Sequence, residues 1–310
     1  MKSLISAALV AGLVAACAPA TTPATEPAAT PAAPAIAPIP ASADVHPFTI
    51  GELQAAALRD GGLETPNDNK TLAINKTKAD VDAVLAANGL PTDKLSLSVQ
   101  PLLVKTTDKV LLFDTGAAAL FGPTLGKLPA TMATAGIALD SVTDIFITHA
   151  HGDHIGGLVT ADGALAFPNA AVHISANEWA AMKADPMVGA IVASITPKVV
   201  EFQPGAEIIP ATVTAVDIKG HTPGHSAYTI TSGDQSLLYI GDTAHHYVVS
   251  VQHPDWTIAF DGDAPTAQAS RKTMLDNAAA SGQRIFAVHF PFPGLGKFTK
   301  TGDVVVWTAE

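Results

Sequence analysis

Three imidazoles and a carboxylate fall within six consecutive positions of this 310-residue chain, in the run Thr148-His149-Ala150-His151-Gly152-Asp153-His154. The run narrows the fold sharply, because it needs a scaffold that brings it to further ligands from distant sequence. It continues an apolar stretch, Asp144 to Thr148, that reads as a buried strand. Side chains two apart on an extended segment point the same way, so His149 and His151 can converge on one metal ion from the strand end. Asp153 and His154 follow Gly152 in a turn and can face a second ion beside the first. With no thiolate among these donors, the set suits Zn²⁺ or a similar divalent cation. The single cysteine, Cys17, excludes both an intrachain disulfide and a thiolate cluster.

Around this run, short apolar segments alternate between strand-like and helical spacing. Strands are expected at Leu97 to Lys105 and Lys109 to Phe113, as a hairpin around Thr106-Thr107-Asp108. Others are expected at Ala171 to Ile174, Thr212 to Ile218, Ala227 to Thr231, Ser236 to Ile240, Ile285 to Val288 and Val304 to Trp307. Helices are expected at Ala79 to Asn88, Leu125 to Ala135, Asn177 to Ala184 and Ala264 to Ala280. Interleaved strands and helices place residues 45–310 in the α/β class, as one domain.

The residues before that domain read differently. Met1-Lys2 precede an apolar run, Leu4 to Val14, too short for a comfortable transmembrane helix. The run ends in Val14-Ala15-Ala16-Cys17, which resembles a bacterial lipoprotein signal. Residues 1–16 are then a signal peptide and Cys17 the lipidated residue, anchoring an exported protein to the outer membrane on its periplasmic side. The alternative is an ordinary secretory signal that leaves the protein soluble in the periplasm. Residues 17–44 read as a tether, since positions 18–43 hold 11 Ala, 7 Pro and 4 Thr and no apolar periodicity. With 17 Lys and Arg against 28 Asp and Glu, the net charge of −11 opposes binding to a nucleic-acid backbone and suits neutral small molecules.

The pattern His-x-His-x-Asp-His resembles the signature of the metallo-β-lactamase superfamily. Gly220-His221-Thr222-Pro223-Gly224-His225, Tyr239-Ile240-Gly241-Asp242 and Val288-His289-Phe290 resemble that family's later ligand-bearing segments. The resemblance implies one metal site of His149, His151 and His221, a second of Asp153, His154 and His289, and Asp242 shared between them. It also implies an αββα four-layer sandwich with the metals at the sheet edges between its halves. Phe113-Asp114-Thr115-Gly116-Ala117, the run Leu120 to Leu128, Phe167-Pro168-Asn169-Ala170 and the run His289 to Gly296 extend the resemblance to the methyl parathion hydrolase branch, over about residues 48–305.

By that resemblance the chain is a dinuclear-metal-dependent hydrolase, with Zn²⁺ the expected ion and Mn²⁺, Co²⁺ or Fe²⁺ as alternatives. A hydroxide bridging the two ions would attack a carbonyl or phosphoryl centre. Asp153 and Asp242 would offset metal charge and orient the nucleophile, and His225 or His245 would position ligands or protonate the leaving group. Lactones and other neutral esters are the expected substrates, with organophosphate triesters as the alternative main activity. The organophosphate hydrolases of this branch grip an aryl group between aromatic side chains. Phe121 and Trp179 fall at two such positions, but the third falls near Met187 or Val188, which weakens the case for aryl phosphotriesters. Asp242 argues against a β-lactamase, and a thioesterase is a further alternative. A non-catalytic metal-binding lipoprotein would not need a position open to water. The resemblance also makes a homodimer the candidate assembly. His46, His173 and His253 read as surface or satisfied core residues, whereas His245 or His246 follows Asp242 closely enough to line a pocket.

Overall fold

In a computed structural model the described residues are 8–9, 11–12, 37–118 and 120–310. The chain divides into Met1–Ile36 and Ala37–Glu310, and the fold is that of the second unit. Nearly all of the expected signal peptide, Cys17 and residues 18–36 of the expected tether lie outside the described residues. The second unit starts earlier than the Val45 suggested by composition, because Ile39 is buried in the core beside Val45. Among the described residues no helix is long and apolar enough to cross a membrane.

Along the chain run β1 (Val45–Ile50), β2 (Leu53–Leu58), β3 (Gly61–Pro66), α1 (Lys78–Ala87), β4 (Lys94–Val99), β5 (Leu102–Lys105), β6 (Val110–Phe113), α2 (Leu128–Thr134), β7 (Asp144–Phe146) and α3 (Gly152–Ile155). There follow β8 (Ala171–Ser175), α4 (Ala176–Ala184), α5 (Gly189–Ile195), β9 (Val199–Phe202), β10 (Glu207–Ile209), β11 (Val213–Asp217), β12 (Ser226–Ser232) and β13 (Gln235–Tyr239). Then come α6 (Val249–Gln252), α7 (Ala264–Ser281), β14 (Arg284–Phe286), β15 (Leu295–Thr301) and β16 (Val304–Ala309). One sheet is ordered β1-β2-β5-β6-β7-β8-β9, a second β10-β11-β12-β13-β14-β15-β16, and β3 pairs β4 apart from both.

Alternation along the strands fixes the layering. Ala55 and Ala57 of β2, Leu111 and Phe113 of β6, Tyr228 and Ile230 of β12, and Leu237 and Tyr239 of β13 form one core between the two sheets. The intervening Ala56, Leu58 and Leu112 face outward into a core with Leu128 and Met132 of α2, Trp179 and Met182 of α4 and Ile191 of α5. On the other side Ala227 and Ile240 pack with Met274, Leu275 and Ala278 of α7. Helix, sheet, sheet and helix therefore stack as the expected αββα sandwich.

Several expected elements change at identifiable residues. Leu97 to Lys105 is two strands in different sheets, β4 and β5, broken at Gln100-Pro101. Pro101 has no N–H for a ladder, and the buried Gln100 amide donates instead to the Ala287 and Phe290 carbonyls. The helix expected from Leu125 starts at Leu128, because Gly126 adopts φ +83° in a close approach to Ala118. The strands expected to reach Thr148 and Val288 stop at Phe146 and Phe286, leaving the following residues free to turn toward the site.

β7 also carries a buried ion-pair cluster outside the site. Asp144 accepts from Lys109 Nζ at 2.8 Å and lies 2.9 Å from His173 Nε2, whose ring stacks on Phe146. Burial pushes the Asp144 carboxyl up, but His173 and Lys109 outweigh it and hold its pKa below the usual carboxylate range. A depressed folded pKa contributes stability that is present above the unfolded value of about 4 and lost as pH falls below it. Asp144→Asn is therefore expected to cost about 1–3 kcal/mol at pH 7. In urea unfolding, the gap between wild type and variant should narrow as the pH is lowered below about 4.

Candidate metal centre

β6 and β7 are parallel neighbours in one sheet, and β13 and β14 are parallel neighbours in the other. Their carboxyl ends open at the same edge of the sandwich, where ligands of α/β proteins commonly sit. His149 follows β7, Asp242 follows β13 and His289 follows β14, while His221 lies beyond the end of β11. His151 immediately precedes the short helix α3, which carries Asp153 and His154. All seven residues expected as ligands come together, as His149, His151, His221 and Asp242 in one cluster and Asp153, His154 and His289 in the next.

His149 Nε2 lies 2.9 Å from His151 Nδ1, and His221 Nε2 lies 3.2 and 3.1 Å from these two atoms. The Asp242 carboxylate divides between the clusters. Its Oδ2 is 3.5 Å from His149 Nε2 and 3.4 Å from His221 Nε2. Its Oδ1 is 3.2 Å from His154 Nε2 and 3.0 Å from His289 Nε2. Asp153 Oδ2 completes the second cluster at 3.7 Å from His154 Nε2 and 3.5 Å from His289 Nε2.

These residues fit divalent cations. Three imidazole nitrogens in mutual contact cannot all be satisfied by protons shared among them, whereas a cation between them satisfies all three. Tetrahedral ligands about 2.0–2.1 Å from Zn²⁺ stand roughly 3.3 Å apart, close to the spacings found here. His154 Nε2 and Asp242 Oδ1 are buried and find no hydrogen-bond partner among the described residues, a costly state unless another group meets them.

Burial, reinforced by His154, holds His149 well below its ordinary pKa, and burial with His221 brings His151 to about 4. Both are neutral near pH 7, the form that ligates a metal. Burial also disfavours charge on His154, but Asp242, Asp153 and Asp114 outweigh it and raise its pKa well above the usual value. Burial would likewise raise Asp242, yet His289, His154 and His245 around it keep the carboxylate ionised.

A family model described as the Metallo-beta-lactamase superfamily matches residues 97–289, the span that holds all seven clustered residues. The chain belongs to the metallo-β-lactamase superfamily. A protein of Mycobacterium bovis named probable metallo-hydrolase is 29% identical over an alignment of 187 positions, a match that covers 49% of this chain and 58% of that protein. The chain thus spans little more than half the length of that relative. Among solved structures, AidC, a dizinc quorum-quenching lactonase in complex with its product N-hexanoyl-L-homoserine, is 32% identical with a TM-score of 0.80. That match covers 86% of this chain and 97% of AidC. The hydrolase AbOPH is 27% identical with a TM-score of 0.79, over 87% and 99% of the two chains.

On this metallo-β-lactamase scaffold the remaining expected residues fall in different places. The Phe121 ring is 47% exposed and lies over Gly152, where a Cβ would come 3.1 Å from it. His245 is buried, stacks on His289 and sets Nε2 3.1 Å from Asp242 Oδ2, without alignment for a hydrogen bond. Trp179 is only 4% exposed and packs in the outer core, so it is a packing residue rather than a wall of the site. Met187 is 91% exposed, on the turn that follows α4. His225 is buried with both ring nitrogens engaged: Nε2 accepts from Asp242 N at 3.0 Å and Nδ1 donates to Ile218 O at 3.3 Å. Burial brings its pKa to about 3. It therefore positions Asp242 and has no free nitrogen for a leaving group. Gly241, at φ +50°, makes this approach possible, since a Cβ there would lie 2.7 Å from His225 Nε2.

Three carboxylates and one ring enter the site without having been expected from sequence. Asp114, fully buried after β6, accepts from Thr148 N at 2.8 Å, from Thr148 Oγ1 and Tyr239 Oη, and from His154 Nδ1 at 2.8 Å. Glu178 at the start of α4 accepts from Ala150 N, Thr222 Oγ1 and Gly224 N, each at 2.8 Å, and so joins the two histidine-bearing loops. Asp261 accepts from His221 Nδ1 at 3.0 Å. Phe260, 49% exposed, lies 6.5 Å from the His151 ring and 6.2 Å from that of His245. Carboxylates that fix the far nitrogen of a ligating histidine are a general device of metal sites.

Proposed function

We propose that this chain is a dinuclear-metal hydrolase of lactones and other neutral esters, with acyl-homoserine lactones as the first class to test. The observation that carries the reading is the division of the Asp242 carboxylate between two ligand clusters, which suits a shared ligand of two adjacent ions. Likeness to the dizinc lactonase AidC over most of both chains supports the substrate class.

Two divalent ions held by the seven residues would supply a nucleophile from water near neutral pH and polarise the acyl oxygen. The chain's own groups do the rest. Asp153 and Asp242 put negative charge around the centre, and Asp114, Asp261 and the Ser98 carbonyl hold the far nitrogens of His154, His221 and His289. Phe121 and Phe260 present exposed rings beside the ligands and suit an apolar acyl chain. His245 is left over from the seven ligands, with both ring nitrogens free of hydrogen-bond partners among the described residues. Its place beside Asp242 makes it the group to hold the substrate's polar end or, as the ester C–O bond breaks, to pass a proton taken from the attacking water to the ring-opened alkoxide.

The second reading, phosphotriesterase as the main activity, draws on Phe121 at the site but loses the aromatic grip expected of the now buried Trp179. Metal content measured by elemental analysis, with initial rates on N-hexanoyl-homoserine lactone and methyl paraoxon, tests both. Two metals per chain with the lactone strongly preferred supports the first reading, and a preference for the phosphotriester replaces it with the second. Fewer than two metals would defeat the dinuclear assignment. His245→Ala should lower lactone kcat about 10²-fold or more with metal content unchanged. A variant that keeps wild-type kcat would remove His245 from the mechanism.

A further inference from the structure

Behind the metal centre, on the face of α7 turned toward it, lies Arg271, whose side chain is completely buried. Its guanidinium spends every nitrogen on groups that carry or support the site. Nε donates to the carbonyl of Thr243, the residue after Asp242, at 2.8 Å. Nη1 donates to the Pro254 and Trp256 carbonyls at 3.0 and 3.4 Å. Nη2 donates to Asp261 Oδ2 at 2.7 Å, while Asp261 Oδ1 accepts from His221 Nδ1. The opposite nitrogen of His221 faces His149, His151 and Asp242.

A buried charge is costly unless paired and hydrogen-bonded, and helix α7 could bury an apolar side chain here at lower cost. The planar fork of an arginine, with donors in fixed directions, is what reaches two carbonyl-bearing segments and a carboxylate at once. Arg271 therefore ties together the turn that delivers Asp242 and the segment that delivers Asp261. Phe260, one residue earlier on that segment, is carried to the cleft by the same tie.

We propose that Arg271 and Asp261 are positioning residues of the metal centre, fixing the ring of His221 and the turn of Asp242 and thereby setting the affinity of the His149–His151–His221 site. This rests on the reading of the seven residues as metal ligands, so the test starts with the wild-type protein. Zn²⁺ affinity is measured by chelator competition for each of the two equivalents in wild type, Asp261→Asn, Arg271→Lys and the double variant. Co²⁺-substituted absorption spectra report the ligand geometry, and melting of the metal-free proteins reports the fold.

Asp261→Asn is expected to lower the metal-free melting temperature, because it unpairs the buried Arg271, and in the protein that remains folded to bind one equivalent about 10–100-fold more weakly, with an altered Co²⁺ spectrum. The equivalent held by Asp153, His154 and His289 should change far less. Arg271→Lys keeps the charge but loses the fork, and should weaken the same equivalent. The double variant should fall short of the sum of the two single effects, since the residues share the line from Arg271 through Asp261 to His221 while Arg271 also holds the Thr243 carbonyl. Wild-type affinities and an unchanged Co²⁺ spectrum in Asp261→Asn and Arg271→Lys, with only the melting temperature lowered, would overturn the proposal and leave a tie between α7 and a loop. Failure of the wild type to bind two equivalents would instead overturn the ligand reading, and this inference with it.

Discussion

Asp242→Asn is expected to cut hydrolysis by on the order of 10²–10³-fold or more, the scale seen when one preorganised electrostatic group is lost from an active site. The substitution keeps size and backbone, so the bond from Asp242 N to His225 Nε2 survives and the turn after β13 stays in place. What changes is charge. The carboxylate sets one oxygen against His149 and His221 and the other against His154 and His289, and an amide can offer a ligating oxygen to one side only. The measured consequence should be a fall from two bound metals toward one, together with the loss of rate. Rates are therefore compared at saturating metal as well as after dialysis. A variant that holds two metals and turns over lactone like the wild type would remove Asp242 from the bridging position.

The seven residues of the two clusters were legible because most of their sequence context is local. Two histidines two apart after an apolar strand, followed by Gly-Asp-His, put four donors within six positions, and the three later segments match a known pattern. The residues that hold those ligands in place could not be read this way. Asp114 meets Tyr239 across 125 positions and Thr148 across 34, and Glu178 meets Thr222 across 44. An isolated Asp or Glu carries no sign of its partner until the strand order is known. Phe260 sits in the run Thr257-Ile258-Ala259-Phe260-Asp261, where an aromatic reads as core, and only its exposure in the folded chain reveals its place.

The fold shows the same division. Helices with caps were readable: α7 follows Asp263, whose side chain accepts from Thr266 N, and ends before Gly282 at φ +67°. β2, by contrast, is Leu-Gln-Ala-Ala-Ala-Leu, a composition that favours helix. It is a strand because Ala55 and Ala57 pack between the sheets while Ala56 packs outward, and small side chains suit a strand buried on both faces. That reason lies in tertiary packing, not in the six residues themselves.

The largest stability effect is expected at Asp114. Its two oxygens accept from a backbone N–H, two hydroxyls and the His154 ring, all buried. Burial, with Asp114 adding to it, raises the Tyr239 pKa well above its usual value, so the phenol stays protonated and depends on this acceptor. Asp114→Ala leaves these donors facing a void, and removal of one partner from such a buried charged cluster costs about 3–5 kcal/mol. For a chain of this size the melting temperature should fall by on the order of 10 °C. Asp114 also adopts φ +58°, a conformation that Asn tolerates about as well as Asp. Asp114→Asn therefore separates backbone strain from electrostatics. If conformation were the main need, Asn would restore nearly wild-type melting. If the acceptor oxygens matter, Asn turns an N–H₂ toward groups that themselves donate, and it should melt closer to Ala than to wild type. The second readout is the gain in melting temperature on adding Zn²⁺, which reports binding to the folded state. With the far nitrogen of His154 no longer held, that gain should shrink in both variants. A full gain in Asp114→Asn would mean that Asp114 supports the fold but not the metal centre.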